Sequence, residues 1–315
     1  MEKYNLNASF EHLEQDTESD MKVLEFKKID AFTKGVSPGN PAGYIFLTDG
    51  QVLTEEQMQR IARQLTGFVN EVGYVRRTGD EFSLKFYSAE CEVAFCGHAT
   101  IAIMYDILTN NIDLATKEEV FINVNAGQLS VFNHIDEDDA VYIMAPEPTV
   151  LECRLTFTQI AQYLGVSPAT LDYSLPIKLI DGGLRTLIVP IKSLDDCLKV
   201  SPDQALLKSF CLDNGIDIIH VSTKETYTAD CRYRTRVFAP KYGYLEDPAT
   251  GSGNAAFGYY LSDQNLWEGD VVVEQGPDRI NPNFVKLKKY HKNGKEHMLF
   301  GGCGTIRIEG RYYLQ

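Results

Sequence analysis

The chain reads as one plan carried out twice. From Val23 a strand, VLEFKKIDAF, leads through the turn-rich loop TKGVSPGNPAG to a second strand, YIFL, and then to a helix opening at Thr54. Thr54 and Gln57 have capping-box spacing, and Met58, Ile61, Ala62 and Leu65 recur on one helical face. After GFVNEVGYV come the alternating strand EFSLKFY, the loop SAECEVAF and the helix CGHATIAIMYDIL, apolar on nearly every side as a fully enclosed helix would be. Strands EVFINVNAG and QLSVFNH close this half. The order then returns: LPIKLIDGGLRTLIVPI as a strand pair with Asp181 in the place of Asp30, a helix near SPDQALLKSFCLDNG, strands IDIIHVS and YRTRVFAP, the loop KYGYLEDPAT, and the small-residue helix GSGNAAFGYYLSDQ. Strand VVVEQG and a hairpin around KNGK follow.

Laying Cys96-Gly97-His98-Ala99 over Thr250-Gly251-Ser252-Gly253 aligns strand, loop and helix on both sides. An internal duplication explains this; chance likeness between ordinary α+β segments is the competing explanation. Duplication predicts two pseudo-symmetric lobes with a site in the cleft between them, one helix N-terminus coming from each side. The expected division is a polar extension over residues 1–20, a first lobe over 21–147 and a second over 148–315, with terminal strands free to cross between lobes.

Length and charge narrow the function. A chain of 315 residues with 44% apolar side chains can bury a large core. With 44 acidic against 30 basic residues, the formal charge is −14, and no basic run is long enough to follow a phosphate backbone, so nucleic acid is not an expected partner. Seven cysteines without regular spacing suit a reducing, cytoplasmic setting better than a disulfide framework. The polar, acidic N-terminus looks like neither signal peptide nor anchor, and no apolar run reaches the roughly 20 residues a bilayer requires.

An anionic substrate must therefore be held by local devices. At Gly97, and again at Gly251 and Ser252, a loop ends and a helix begins, so unpaired N–H groups converge where small residues allow close approach. Two such ends facing a cleft make a carboxylate pocket with no net positive charge; tight helix packing is the other use of these glycines. His98, at a helix start, is either a structural histidine or a donor and proton shuttle whose neutral form the dipole favours. Asp247 opens an Asp-Pro turn and either caps the following helix or orients His98. Glu71 lies in an otherwise apolar stretch, where burial would raise its pKa toward that of a general base; a solvated acid at a helix end is the alternative. Cys91, Cys96 and His98 lack a familiar zinc spacing, and TGSGN lacks that of a serine nucleophile elbow. With neither a dinucleotide fingerprint nor a Walker loop, acid/base chemistry without cofactor or metal is what remains.

Taken together, IDAF with GNPAG, MQRIARQ with Asn70-Glu71, FCGHATIA, RVFAP, EDPATGSGNAA, EQG with Arg279, and GGCGTIRIEG resemble the PhzF-like isomerase family of phenazine biosynthesis, in the family's order from about Lys22 onward. The resemblance implies a diaminopimelate-epimerase-like fold, two lobes each a mixed sheet wrapped around a central helix. It implies catalytic roles for Glu71 as proton-shuttling base with His98 and Asp247, substrate carboxylate binding at Gly97, Gly251 and Ser252, and a homodimer. Related epimerases and racemases oppose two cysteines at the paired helix starts; here Cys96 faces Thr250, whose hydroxyl is far too weak an acid for that role. The turns SAEC and PDRINPN, and the lead-in TGFVN, depart from the family pattern and put the phenazine-pathway substrate in question. The expected activity is a proton-transfer isomerase acting on a small carboxylated, unsaturated compound. A binding module without turnover on the same fold is the alternative, and an epimerase or racemase a weaker one.

Overall fold

A computed structural model describes residues 21–315; the expected polar extension over 1–20 lies outside the described residues. The first half contains β1 (Lys22–Ala31), β2 (Asn40–Phe46), α1 (Glu55–Gln64), β3 (Glu71–Thr78), β4 (Glu81–Ser88) and the short β5 (Glu92–Val93). These are followed by α2 (Gly97–Asn110), α3 (Ile112–Ala115), β6 (Glu119–Val124), β7 (Gly127–His134), α4 (Ile135–Asp138) and β8 (Ala140–Met144). The second half opens with β9 (Thr149–Leu151), α5 (Phe157–Leu164), β10 (Lys178–Asp181), β11 (Arg185–Pro190), α6 (Leu194–Lys199), α7 (Gln204–Asp213), β12 (Ile218–Thr223) and β13 (Tyr233–Phe238). It closes with β14 (Glu246–Asp247), α8 (Gly251–Asp263), β15 (Val271–Gln275), β16 (Asn283–Lys292), β17 (Lys295–Gly302) and β18 (Gly304–Leu314).

Strand pairing repeats strand for strand. β1–β2, β3–β4, β4–β5, β6–β7 and β7–β8 are antiparallel and β2–β3 and β4–β6 parallel. The second half pairs identically, with β10–β11, β12–β13, β13–β14, β15–β16 and β16–β17 antiparallel and β11–β12 and β13–β15 parallel. Register makes the match residue by residue. Ile29 lies opposite Ala42 as Ile180 lies opposite Thr186, so Asp30 and Asp181 correspond as the sequence predicts. Ala42 lies beside Glu71 as Thr186 lies beside Ile218, and Phe86 opposite Val93 as Val237 opposite Asp247. Three residues past Val93 and Asp247 stand Cys96 and Thr250.

The two halves join where β8 pairs with β17, making one sheet of 18 strands. The last strand, β18, which the sequence pattern does not reveal, returns to pair with β1 over its whole length, just as β9 pairs with β10. Each half wraps its sheet around one helix. Ala99, Ile101, Ala102, Ile103 and Met104 of α2, and Ala255, Ala256, Phe257 and Leu261 of α8, are buried in one continuous core. Outer helices cover the other faces: Met58, Ile61 and Ala62 of α1 pack over the first sheet, Leu207 and Phe210 of α7 over the second. Thr54 and Gln57 form the expected capping box, and Asn293 and Gly294 take positive φ in the KNGK turn. Among the described residues, no helix is long and apolar enough to cross a membrane.

Candidate active site

Both central helices begin without a side-chain cap. Their first residues are preceded by Cys96 at φ −128°, ψ 107° and Thr250 at φ −121°, ψ 110°, nearly the same backbone, and neither side chain turns onto its helix. The outer helices α1, α5, α6 and α7, by contrast, are all capped by Thr, Ser or Asp. Among the described residues no acceptor meets the N–H groups of Gly97, His98, Gly251 or Ser252. Phe300 of β17 sits against both starts: a Cβ at Gly97 would lie 3.4 Å from its ring, and one at Gly251 would overlap it. The two uses weighed for these glycines therefore coexist at Gly251, which must be small for packing and leaves its N–H free.

Thr250 is a residue type suited to capping, yet its hydroxyl donates to Asp247 Oδ2 at 2.5 Å. Asn40 Nδ2 donates to Asp247 Oδ1 at 2.7 Å and to the Ala249 carbonyl at 2.8 Å. Gln275 completes this frame: its Nε2 donates to the Asp247 carbonyl at 2.9 Å, and its Oε1 accepts from the Thr250 N–H at 3.0 Å. Asp247 is thus not the helix cap that Asp-Pro chemistry suggests; it is buried and held by two side-chain donors. Burial pushes its pKa up to about 6, against the pull of His98 and the Thr250 and Asn40 hydrogen bonds, with Glu71 adding to the rise.

Glu71 opens β3 rather than ending a helix, and its side chain is mostly buried. Its Oε2 lies 3.2 Å from His98 Nε2, within ion-pair reach, and among the described residues this buried oxygen has no other polar partner. Cys96 Sγ flanks the same ring, 3.5 Å from Nδ1 and 3.8 Å from Nε2. The helix dipole predicts a neutral His98, yet its pKa lies well above the ordinary imidazole value: burial opposes the charge, but the Cys96 sulfur and the Glu71 carboxylate outweigh it. Burial also pushes the Cys96 thiol up, so it is no ready thiolate nucleophile.

The fold thus brings together Glu71, His98, Asp247 and the starts of both central helices. Asn40 and Gln275, which hold Asp247, lie inside GNPAG and EQG; those stretches were legible as motifs without revealing what the two amides do. Tyr244 gave no sequence signal. It packs against the cluster of Ile218, Val237 and Ala239; burial, then the negative charges of Asp247 and Glu71, raise its phenol pKa; and among the described residues its hydroxyl makes no hydrogen bond. The divergent PDRINPN turn is anchored from below. The fully buried Arg234 pairs with Glu274 at 3.0 Å and donates to the Gly276 carbonyl at 2.9 Å and to that of Asp278.

Comparison with known proteins now bears on this site. The family model described as phenazine biosynthesis-like protein, PhzC-PhzF, matches residues 29–310. The chain belongs to this PhzC-PhzF family. It is 31% identical to "Uncharacterized isomerase YfhB" of Bacillus subtilis over 292 residues, covering 90% of this chain and 96% of that one. It is 26% identical to trans-2,3-dihydro-3-hydroxyanthranilate isomerase of Pseudomonas fluorescens over 265 residues, covering 82% and 88%. A crystal structure of the Bacillus anthracis phenazine biosynthesis protein, PhzF family, superposes with a TM-score of 0.82 at 27% identity, covering 92% of this chain and 99% of that one. As a PhzF-family isomerase of epimerase-like fold, the chain has the two lobes, each wrapped around a central helix, that the duplicated sequence predicts.

Proposed function

We propose that this isomerase moves a proton between two carbons of a small carboxylated, unsaturated substrate without a cofactor, with Glu71 as the shuttle. Glu71 takes the proton from a carbon beside the unsaturated centre and returns it to another carbon on the same face. The uncapped starts of α2 and α8, through Gly97, Gly251 and Ser252, hold the substrate carboxylate and stabilise charge that develops on it. His98 and Asp247 orient the substrate and relay the second proton. The pKa of Asp247, near 6, suits a group that must both give and take a proton at neutral pH.

One observation carries this reading. The position equivalent to Glu71 in the second lobe is Ile218, buried among apolar side chains. The second lobe thus has no carboxylate matching Glu71, and Thr250 stands where related racemases place their second thiol, which favours one shuttling base over two opposed ones. Deuterium incorporation at carbon, followed by mass spectrometry, tests it. Wild type and Glu71→Gln are incubated in heavy water with small unsaturated and amino acids, trans-2,3-dihydro-3-hydroxyanthranilate among them. Label entering one compound with wild type, and at least about 100-fold slower with the variant, is the expected result. Equal labelling by both proteins discards the shuttle. Labelling by neither, with an acid bound by both, identifies a binding module instead.

A further inference from the structure

Behind Asp247 runs a line of buried polar groups that the shuttle itself does not use. His220 of β12 is fully buried, its ring stacked on Phe257 of α8 at 4.8 Å between centroids. Its Nε2 lies 3.1 Å from Asn254 Oδ1. Asn254 Nδ2 donates to the Thr250 carbonyl at 2.8 Å and to Gln275 Oε1 at 2.7 Å. Gln275 Nε2 donates to the Thr250 hydroxyl at 3.1 Å as well as to the Asp247 carbonyl, and that hydroxyl donates to Asp247. Backbone groups fix the direction of every step. The Thr250 N–H can only donate, which turns Gln275 Oε1 toward it; the Thr250 and Asp247 carbonyls can only accept, which turns both amide nitrogens toward them. Asn254 Oδ1 therefore faces His220, and the ring must carry its proton on Nε2.

Burial pushes the His220 pKa down to about 4, against the pull of the Asn254 bond, so the ring is neutral near pH 7. Its Nδ1 is buried and, among the described residues, has no hydrogen-bond partner. An unmet buried nitrogen costs stability, and an apolar side chain would fill the same space without it. What the imidazole offers that an apolar residue cannot is the Nε2 proton. The first lobe has no such line: Gly73 stands in the place of His220, Ile103 in that of Phe257, and Thr100 in that of Asn254, closing only onto the Cys96 carbonyl at 2.7 Å.

We propose that His220 is a positioning residue for Asp247: its Nε2–H holds the Asn254 amide, which through Gln275 aims the Thr250 hydroxyl at the Asp247 carboxylate. Without that donor, Asn254 Oδ1 is left with the Thr235 hydroxyl, 3.5 Å away. Turning toward it loosens the contact with Gln275, and Asp247 loses part of a hydrogen bond that favours its ionised form. The positioning rests on the hydrogen bonds alone; its effect on turnover rests on the role proposed above for Asp247.

The test uses the full chain. With 15N-labelled histidine at pH 7, the ring signals that disappear in His220→Gln should be those of a neutral Nε2–H imidazole. The Asp247 carboxyl, labelled with 13C and assigned through Asp247→Asn, is then titrated in wild type, in His220→Gln, whose amide can donate in place of Nε2, and in His220→Leu and His220→Asn, which cannot donate there. Glu71 and His98, which also face Asp247, are the same in all four. The midpoint should rise by at least about 0.5 pH unit in the Leu and Asn variants and stay near wild type in the Gln variant. Deuterium labelling should slow about tenfold in the first two at unchanged KM, and recover in the third. An Nδ1–H ring, a midpoint unmoved in whichever of the Leu and Asn variants is folded by circular dichroism, or a Gln variant shifted as far as they are overturns the proposal. Should neither fold, the wild-type tautomer and the Gln midpoint decide it. A shifted midpoint in a protein that labels no compound keeps the positioning while the shuttle reading falls; labelling that depends on Glu71, with the midpoint unmoved, does the reverse.

Discussion

The two lobes share a backbone and divide the chemistry. Where the first lobe has Glu71 and His98, the second has Ile218 and Ser252; where the second has Asp247, the first has Val93. Asn40, which holds Asp247, corresponds to Leu184, which packs against the cluster of Ile218, Val237 and Ala239. Only the helix starts remain alike, with matching dihedral angles before Gly97 and Gly251 and free N–H groups at both. The duplicated element is thus a helix start whose N–H groups are left free, and the unduplicated elements are the acids and the imidazole. The likeness survives because the backbone supplies it, while single side-chain changes make the titratable groups one-sided.

The most disruptive way to break the comparison is to restore symmetry. Ile218→Glu places a carboxyl among Leu184, Val237 and Ala239 with no donor to meet it, so the expected loss is about 3–5 kcal/mol of stability with no gain of racemase activity. Urea unfolding and a polarimetric assay with proline read both halves; a stable, racemising variant would mean that the lobes are interchangeable.

Asp247 gives the next effect. Its pKa, about 6, stands above its ordinary 3.8, so this raised acid contributes stability that is fully present below about pH 3.8 and is lost as pH climbs through 6. Relative to wild type, Asp247→Asn should therefore gain up to about 3 kcal/mol on going from about pH 4 to about pH 7, measured by unfolding at each pH. Its turnover should fall about 100-fold at every pH. A stability difference that does not change with pH would mean that Asp247 titrates normally.

The helix starts offer a matched pair. Gly251→Ala drives a methyl into Phe300 and should cost about 1–3 kcal/mol, whereas Gly97→Ala, with 3.4 Å of room, should stay within about 1 kcal/mol of wild type. Equal melting temperatures for the two variants would show that Phe300 moves aside freely. Smallest is Asn40→Leu, which copies the residue of the second lobe. Loss of its 2.7 Å bond to Asp247 should lower kcat about tenfold while barely changing KM. A change confined to KM would place Asn40 in binding instead.

Much of this was legible in the chain. Helix α1 announces itself through Thr54, Gln57 and an apolar stripe, α2 through its apolar surround, and the KNGK hairpin through Asn-Gly, because caps, periodicity and turns are local. The duplication, too, is written in order and spacing, and Glu71, His98 and Asp247 stand in recognisable stretches. Tertiary structure decided the rest. The raised pKa of His98 follows from the Cys96 sulfur beside it and from the Glu71 carboxylate 27 positions earlier, against burial, and not from the dipole of its own helix. Nothing local to Asn40 says that its amide holds Asp247, nothing local to Tyr244 brings it near Glu71, and nothing in GTIRIEGRYYL says that β18 goes back to β1. Local patterning sets which residues are buried and where elements stop; the register between distant strands, which sets each group's neighbours and hence its protonation, exists only once the chain has closed on itself.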